Sequence, residues 1–429
     1  MDRPRHFEIQ LGHLCNNRCV FCVSGLLTSR GKAPFLPVDA LRGALDEARA
    51  NGYQQVTLLG GEPTIQPYFM EVLRHAVRLG FEVVIFSNGS KPGRTHLIDE
   101  VAATGGRFVW RFSFQGATEE AHERTTRRKG SWAQLQRSVA RARAHGHTIT
   151  VNMCVVTQNY ASLPAFPALL LPAGVAQLHV DMLNPYDTGM LDAGDGGAVI
   201  GAVGGPAREG EAPVTPTDQL DAIMPRYTDL VAPLTEMIAG LPEGFDVNVG
   251  NLPHCVAPHL APWIHHGGQP TWTLTANDRG EGALGAGKKK YALKRGNKTK
   301  TAACRSCVFD DRCTGFFDVY AARFGLDELS PVTHARLAQL DGAGRLFALR
   351  VAALLRPALT AAALPAPFTQ MVVSEPTPRE VRLDFTAPKG DVTLSLRPPP
   401  DGDAATQRFS LRASGQPPLA LTALRWTWD

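Results

Sequence analysis

The stretch Leu11-Gly12-His13-Leu14-Cys15-Asn16-Asn17-Arg18-Cys19-Val20-Phe21-Cys22 sets three cysteines in C-x3-C-x2-C spacing directly behind the β-rich run Phe7–Leu11. Three thiolates on one short loop can hold three corners of an iron–sulfur cubane and leave the fourth iron open. The triplet also suits a zinc site in which His13 is the fourth donor. Further along, Leu58-Leu59-Gly60-Gly61-Glu62-Pro63 ends a second run. Its glycines permit close backbone approach, and Glu62 offers a carboxylate that can receive an ammonium group. Phe86-Ser87-Asn88-Gly89 and Phe112-Ser113-Phe114-Gln115-Gly116 end two more runs on polar, turn-forming residues.

Around these motifs the chain alternates. The β-rich runs Phe7–Leu11, Gln55–Leu59, Phe81–Ser87, Arg107–Phe114, Thr148–Val156 and Gln177–Leu183 are separated by helical patterns such as Val38–Asn51, Tyr68–Leu79, His96–Ala103 and Ser131–Ala144. Six such repeats predict a parallel βα array, whose functional residues gather at the carboxyl ends of the strands. The motifs lie at those ends.

In this order and context the motifs resemble the radical S-adenosylmethionine (SAM) superfamily, over about residues 5–185. The resemblance implies a partial (β/α)6 TIM-like barrel and a SAM-bound [4Fe–4S] cluster. It also implies a 5′-deoxyadenosyl radical that abstracts hydrogen from substrate. Carried over residue by residue, Cys15, Cys19 and Cys22 would ligate the cluster, Phe21 would lie near the adenine, and Gly60, Gly61 and Glu62 would meet the methionine amino group. Ser87, Asn88, Ser113, Gln115 and Asn152 stand where this family contacts SAM. Gln115 replaces the family's usual aspartate. The carboxylate-binding arginine falls among Arg124, Arg127 and Arg128, with Arg124 taken first.

A second set, Cys304-x2-Cys307-x5-Cys313 with Cys255 upstream, makes four thiolates, enough for one complete site of iron–sulfur or zinc type. The C-x2-C-x5-C run resembles part of the SPASM/twitch extensions of radical SAM enzymes, which implies one auxiliary [4Fe–4S] cluster in a twitch-like variant. Cys154 is left over and reads as a buried small hydrophobe within an apolar strand.

The expected organisation is a radical SAM partial barrel over 1–186, a Gly-rich loop over 187–216 and a twitch-like auxiliary region over 217–330. A helix plus a small antiparallel β domain over 331–429 follows, with strands around Val381–Phe385, Val392–Leu396, Phe409/Leu411 and Leu424–Trp428. Within the third segment, Leu220 to Met237 mark one amphipathic helix. The basic run Lys288–Lys300 reads as a solvated hairpin or loop, with a contact for an acidic peptide or phosphorylated substrate as the sharper alternative, and His265-His266 as an ordinary loop rather than a ligand pair.

A net charge of +4 on 429 residues carries no footprint of nucleic-acid binding. The apolar stretch Leu346–Leu364 contains Arg350, Arg356 and Pro357, so no membrane span is expected, and the absence of an apolar leader after Met1 predicts a cytoplasmic protein. Three functional readings stay open. The first is a radical SAM enzyme that modifies a ribosomally made peptide, with a reductant such as flavodoxin or ferredoxin as partner. The second is a radical SAM dehydrogenase or rearranging enzyme acting on a small metabolite. The third is a non-catalytic iron–sulfur or zinc scaffold.

Overall fold

The structure is a computed structural model. It describes residues 5–188, 216–265, 273–276, 282–285, 287–289, 297–341, 344–361, 364, 368–388, 391–397 and 410–414.

The βα alternation becomes a half-barrel. The strands β1 (His6–Gln10), β2 (Gln55–Leu59), β3 (Glu82–Ser87), β4 (Arg107–Ser113), β5 (Thr148–Val155) and β6 (Gln177–Met182) lie side by side in chain order. Every neighbouring pair is parallel. Two strands that the sequence pattern does not disclose extend this sheet: β7 (Asp246–Gly250) pairs with β6, and the short strand Thr273–Ala276 pairs with β1, both parallel. The helices between them are α1 (Val23–Ser29), α2 (Val38–Ala50), α3 (Phe69–Arg78), α4 (Leu97–Ala102), α5 (Glu119–Thr126), α6 (Ser131–Ala144) and α7 (Phe166–Ala173).

The helices form because their apolar residues recur at helical spacing. In α2 the buried positions are Leu41, Leu45 and Ala48; in α3 they are Phe69, Val72, Leu73 and Ala76. These stripes cover one face of the sheet, where Phe108, Trp110, Phe112, Val151 and Met153 are buried. Each such side chain contributes roughly 1.5–3 kcal/mol on leaving water. The alternate positions Arg111, Ser113, Asn152, Cys154, His179 and Asp181 are only half-buried or nearly so and form the inner face.

The expected single helix from Leu220 to Met237 is two, α8 (Pro216–Ile223) and α9 (Tyr227–Ala239). Pro225 interrupts it, lacking an N–H and disfavouring helical backbone in Met224 before it.

The chain divides into two compact units. The first comprises Met1–Pro253, His265–Thr299 and Thr314–Glu328; the second comprises His254–Ile264, Lys300–Cys313 and Leu329–Asp429. The stretch 217–330 is therefore shared between them. In the second unit the helix Phe347–Ala361 lays Ala348, Val351, Ala352 and Leu355 against Val381, Leu383, Phe385, Val392, Leu394 and Leu396 of an antiparallel sheet. The strands are Gln370–Thr377, Glu380–Thr386, Val392–Arg397 and Ser410–Ser414. The antiparallel strands at Val381–Phe385, Val392–Leu396 and Leu411 follow the sequence reading, whereas Gln370–Thr377 is not part of it. Leu424–Trp428, the Gly-rich stretch 189–210, His266 and Lys290–Gly296 lie outside the described residues. Among the described residues no helix is long and apolar enough to cross a membrane.

Candidate cluster and SAM site

The cysteine loop leaves β1 and folds back onto the end of β2. The Gly61 amide donates to the Gly12 carbonyl at 2.8 Å and the Glu62 amide to the Leu14 carbonyl at 2.9 Å. This approach explains the two glycines. A Cβ on Gly60 would stand 2.6 Å from the Gly12 oxygen, and one on Gly61 would collide with the His13 and Leu14 carbonyls. On its other flank the loop is bonded to the end of α5, the Arg18 amide to the Thr126 carbonyl and the Val20 amide to the Thr125 carbonyl, each at 3.0 Å. Thr28 of α1 accepts from the Cys15 amide at 3.0 Å and donates to the His13 carbonyl. Cys22 occupies the position just before α1 without a side-chain capping bond.

The three thiols lie within electrostatic reach of one another and are not in disulfides. Burial pushes the Cys15 thiol up to about 12, and the charge of Cys22 adds to it; Cys19 is likewise raised well above its ordinary value, by burial first and then by Cys22 and Cys15. Only a cationic partner holds such sulfurs as thiolates, and a three-thiol set with one short N–H···S contact, Asn17 to Cys15 at 3.4 Å, suits an iron–sulfur cubane. His13 is buried and bonds Gln10 and Ser24. Among the described residues no three His, Cys, Asp or Glu side chains converge to hold one metal ion. Thiolates on separate irons of a cluster need not converge in that way.

Glu62 is fully buried and its carboxylate is crowded with donors. Oε1 accepts from the Thr64 amide at 3.1 Å, the Thr64 hydroxyl at 2.5 Å and Ser87 Oγ at 2.8 Å, and Oε2 accepts from the Asn88 amide at 2.6 Å. Burial raises its pKa, and the four hydrogen bonds oppose that rise. The carboxylate thus ties the end of β2 to the end of β3. Asn88 continues the chain of contacts, donating to Asn16 Oδ1 at 2.7 Å inside the cysteine loop. Phe21 is half-exposed on that loop.

Across the inner face Ser113 and Asn152 are register partners, and Asn152 donates to Asp181 at 3.2 Å. Gln115 is buried, and its side-chain oxygen accepts from the Cys154 amide at 3.1 Å. Its own amide donates to His122 Nδ1 at 3.1 Å, which puts the imidazole proton on Nε2. His122 sits edge-on to Phe114 and Trp132, and burial pushes its pKa down to about 4. Gln115 is therefore a brace between β4 and β5. Cys154 departs from its expected reading: it is half-buried on the inner face, within electrostatic reach of Cys19.

Of the three candidate arginines, Arg124 is exposed and donates to the Gln158 carbonyl at 3.1 Å, while Arg127 is exposed in a left-handed turn. Arg128 reaches the cysteine loop and donates to the Asn16 carbonyl at 2.5 Å. Thr28, Thr64 and Arg128 are contacts that sequence reasoning left unassigned; only Arg128 carried a signal, as one of three adjacent candidates.

In the second unit Cys255 is within electrostatic reach of Cys304, Cys307 and Cys313, and burial pushes its thiol up to about 12. The Val332 amide donates to Cys307 Sγ at 3.3 Å, and Thr301 Oγ1 stands 3.8 Å from Cys304 Sγ. Cys255, Cys307 and Cys313 pack against a core of Ala261, Phe309, Val332, Leu337, Leu346 and Leu349. Four neighbouring thiols, two of them with hydrogen-bonding partners at sulfur, suit thiolates carried by separate irons of a cluster, which need not meet at one ion.

The class the geometry defines is a parallel α/β half-barrel whose first strand ends in a loop of three free thiols clasped by a Gly-Gly-Glu turn. Residues 9–166 match the model of the Radical SAM superfamily. The chain is similar to the PqqA peptide cyclase of Ruegeria pomeroyi, 31% identical over 173 residues, which is 40% of this chain and 45% of that protein. It is also similar to the AdoMet-dependent heme synthase of Methanosarcina barkeri, 27% identical over 194 residues, covering 45% of this chain and 54% of the other. The chain thus spans about half the length of the curated relatives it matches. Among solved structures it shares 19% identity with Streptococcus suis SuiB bound to precursor peptide SuiA, covering 43% of this chain and 41% of that one with a TM-score of 0.37.

Proposed function

We propose that this chain is a radical SAM enzyme that modifies a peptide by hydrogen abstraction. Cys15, Cys19 and Cys22 would hold the [4Fe–4S] cluster that meets SAM, and Cys255, Cys304, Cys307 and Cys313 would hold one auxiliary [4Fe–4S] cluster. The observation that carries the reading is the clasp of the three-thiol loop by Gly61 and Glu62, with amide-to-carbonyl distances of 2.8 and 2.9 Å. When bound, such a cluster supplies the electron that cleaves SAM to a 5′-deoxyadenosyl radical.

The chain's own residues position and shield that chemistry. The Gly60-Gly61 approach and the Thr28 hydroxyl fix the loop, and Glu62 locks the turn beneath it. Gln115 holds the end of β5 so that Asn152 stays on the inner face, where Ser113 is its neighbour. Asn88, Phe21 and these two residues are the proposed SAM contacts, together with an arginine. Arg128 suits that role better than Arg124 because it is the one seated against the loop. A peptide substrate is supported by the names of the matched relatives, several of which are peptide cyclases. A low-potential carrier such as flavodoxin or ferredoxin would deliver the electron, in the cytoplasm.

The test is a pair of triple variants, assayed anaerobically with SAM and reductant. Replacing Cys15, Cys19 and Cys22 by Ala should abolish 5′-deoxyadenosine, whereas replacing Cys304, Cys307 and Cys313 should leave SAM cleavage but no modified peptide by mass spectrometry. 5′-Deoxyadenosine from the first variant would overturn the cluster assignment. Normal peptide turnover by the second would make that site structural only.

A further inference from the structure

We infer that a basic rim beside the cysteine loop, formed by the exposed Arg18, Arg94, Arg127 and Lys129 around Arg128, is the docking surface for an acidic one-electron carrier protein. The inference rests on the reading of Cys15, Cys19 and Cys22 as ligands of a redox cluster.

Three separate segments bring these residues together. Arg18 belongs to the cysteine loop itself and is bonded through its amide to Thr126, immediately before Arg127. Arg128 donates to the carbonyl of Asn16, next to Cys15. Arg94, from the loop after β3, lies close enough to Arg128 for the two like charges to oppose each other. Arg18, Arg94, Arg127 and Lys129 are exposed, and none of the five forms an ion pair among the described residues. The nearby acids are engaged elsewhere: Glu120 faces Arg124, and Glu123 accepts from the Trp132 amide.

A crowd of positive charge without an ion-pair partner is costly unless an anionic partner relieves it. The rim grows from the loops that flank the thiols, whereas the inner face carrying Ser113, Asn152 and Cys154 is the ground for substrate. A partner seated on the rim would therefore stand directly against the thiol loop. The step it serves is balanced: the carrier loses one electron and the cluster gains it, with no bond made. Charge steering suits such brief, repeated encounters better than a deep groove would.

The test uses the full-length reconstituted chain and a purified acidic flavodoxin, with affinity measured across a salt series. Arg94→Glu/Lys129→Glu should weaken flavodoxin binding at least about tenfold at low salt, and the deficit should shrink to about twofold or less near 0.5 M salt. Arg94→Gln/Lys129→Gln should weaken it less, and SAM cleavage driven by dithionite should stay within about twofold of the parent in both. Equal flavodoxin affinity of all three proteins at low salt overturns the docking surface. So does an equal loss of dithionite-driven cleavage, which would place the pair in the site itself. Loss of binding to a poly-glutamate peptide with flavodoxin affinity retained would assign the rim to an acidic peptide instead. If the parent itself fails to cleave SAM with dithionite, the functional reading falls, and the salt-dependent affinities still decide the rim.

Discussion

Glu62→Gln separates a carboxylate that faces SAM from one that staples two strands. In the fold, three donors reach Oε1, and the Asn88 amide reaches Oε2 at 2.6 Å. A glutamine can keep one oxygen among the three donors, but its NH2 group then confronts the Asn88 N–H. One charge-assisted bond is lost and a buried donor is left unpaired, which costs about 1–3 kcal/mol, while the remaining bonds weaken to neutral strength. Removing a buried charge offsets part of this, since burial already disfavours the ionised form. The expected net loss is about 1–3 kcal/mol, or a fall of roughly 2–10 °C in the melting temperature of the barrel unit. A contact to the methionine ammonium, if also lost, weakens SAM binding by about 1.5–3 kcal/mol, roughly ten- to 150-fold. Differential scanning fluorimetry without SAM and equilibrium dialysis with it measure the two effects separately. An unchanged melting temperature in the absence of SAM would refute the staple, whatever happens to SAM affinity.

Gly61→Ala should force the cysteine loop off the β2 end and break both amide-to-carbonyl bonds, at a cost of at least about 2 kcal/mol, read as a lower urea midpoint and as iron lost from the first site on reconstitution. Anaerobic reconstitution of the parent should give about eight irons per chain, and elemental analysis showing about four irons with one zinc would sink the auxiliary cluster while sparing the first. His122 supplies a pH test. Because its folded pKa is about 4 against an ordinary 6.5, the unfolded chain binds the extra proton between those values. Stability is therefore complete above about pH 6.5 and declines as pH falls toward 4, by on the order of 3 kcal/mol. Urea midpoints between pH 4.5 and 7 should show this slope in the parent and lose it in His122→Gln.

What the sequence by itself determined is what local periodicity and spacing can carry. Cys15, Cys19 and Cys22 declare a thiolate loop because ligand spacing is written along the chain. The runs at Gln55–Leu59 and Gln177–Met182 declare parallel strands because helical stripes separate them, and Val381–Phe385 declares a half-exposed strand because its side chains alternate. The tertiary structure decided everything that depends on segments far apart in sequence. Thr273–Ala276 is too short to show a period, and only its pairing with β1 makes it a strand of the barrel. The role of Gly60-Gly61 follows from the carbonyls of Gly12, His13 and Leu14, and that of Glu62 from donors on β3. Gln115 is a brace because Cys154 offers it an amide, and Arg128 rather than Arg124 lies on the cysteine loop because α5 ends there. In each case the residue type was legible but its partner was not, because hydrogen bonds and close packing are set by the distance between atoms in space.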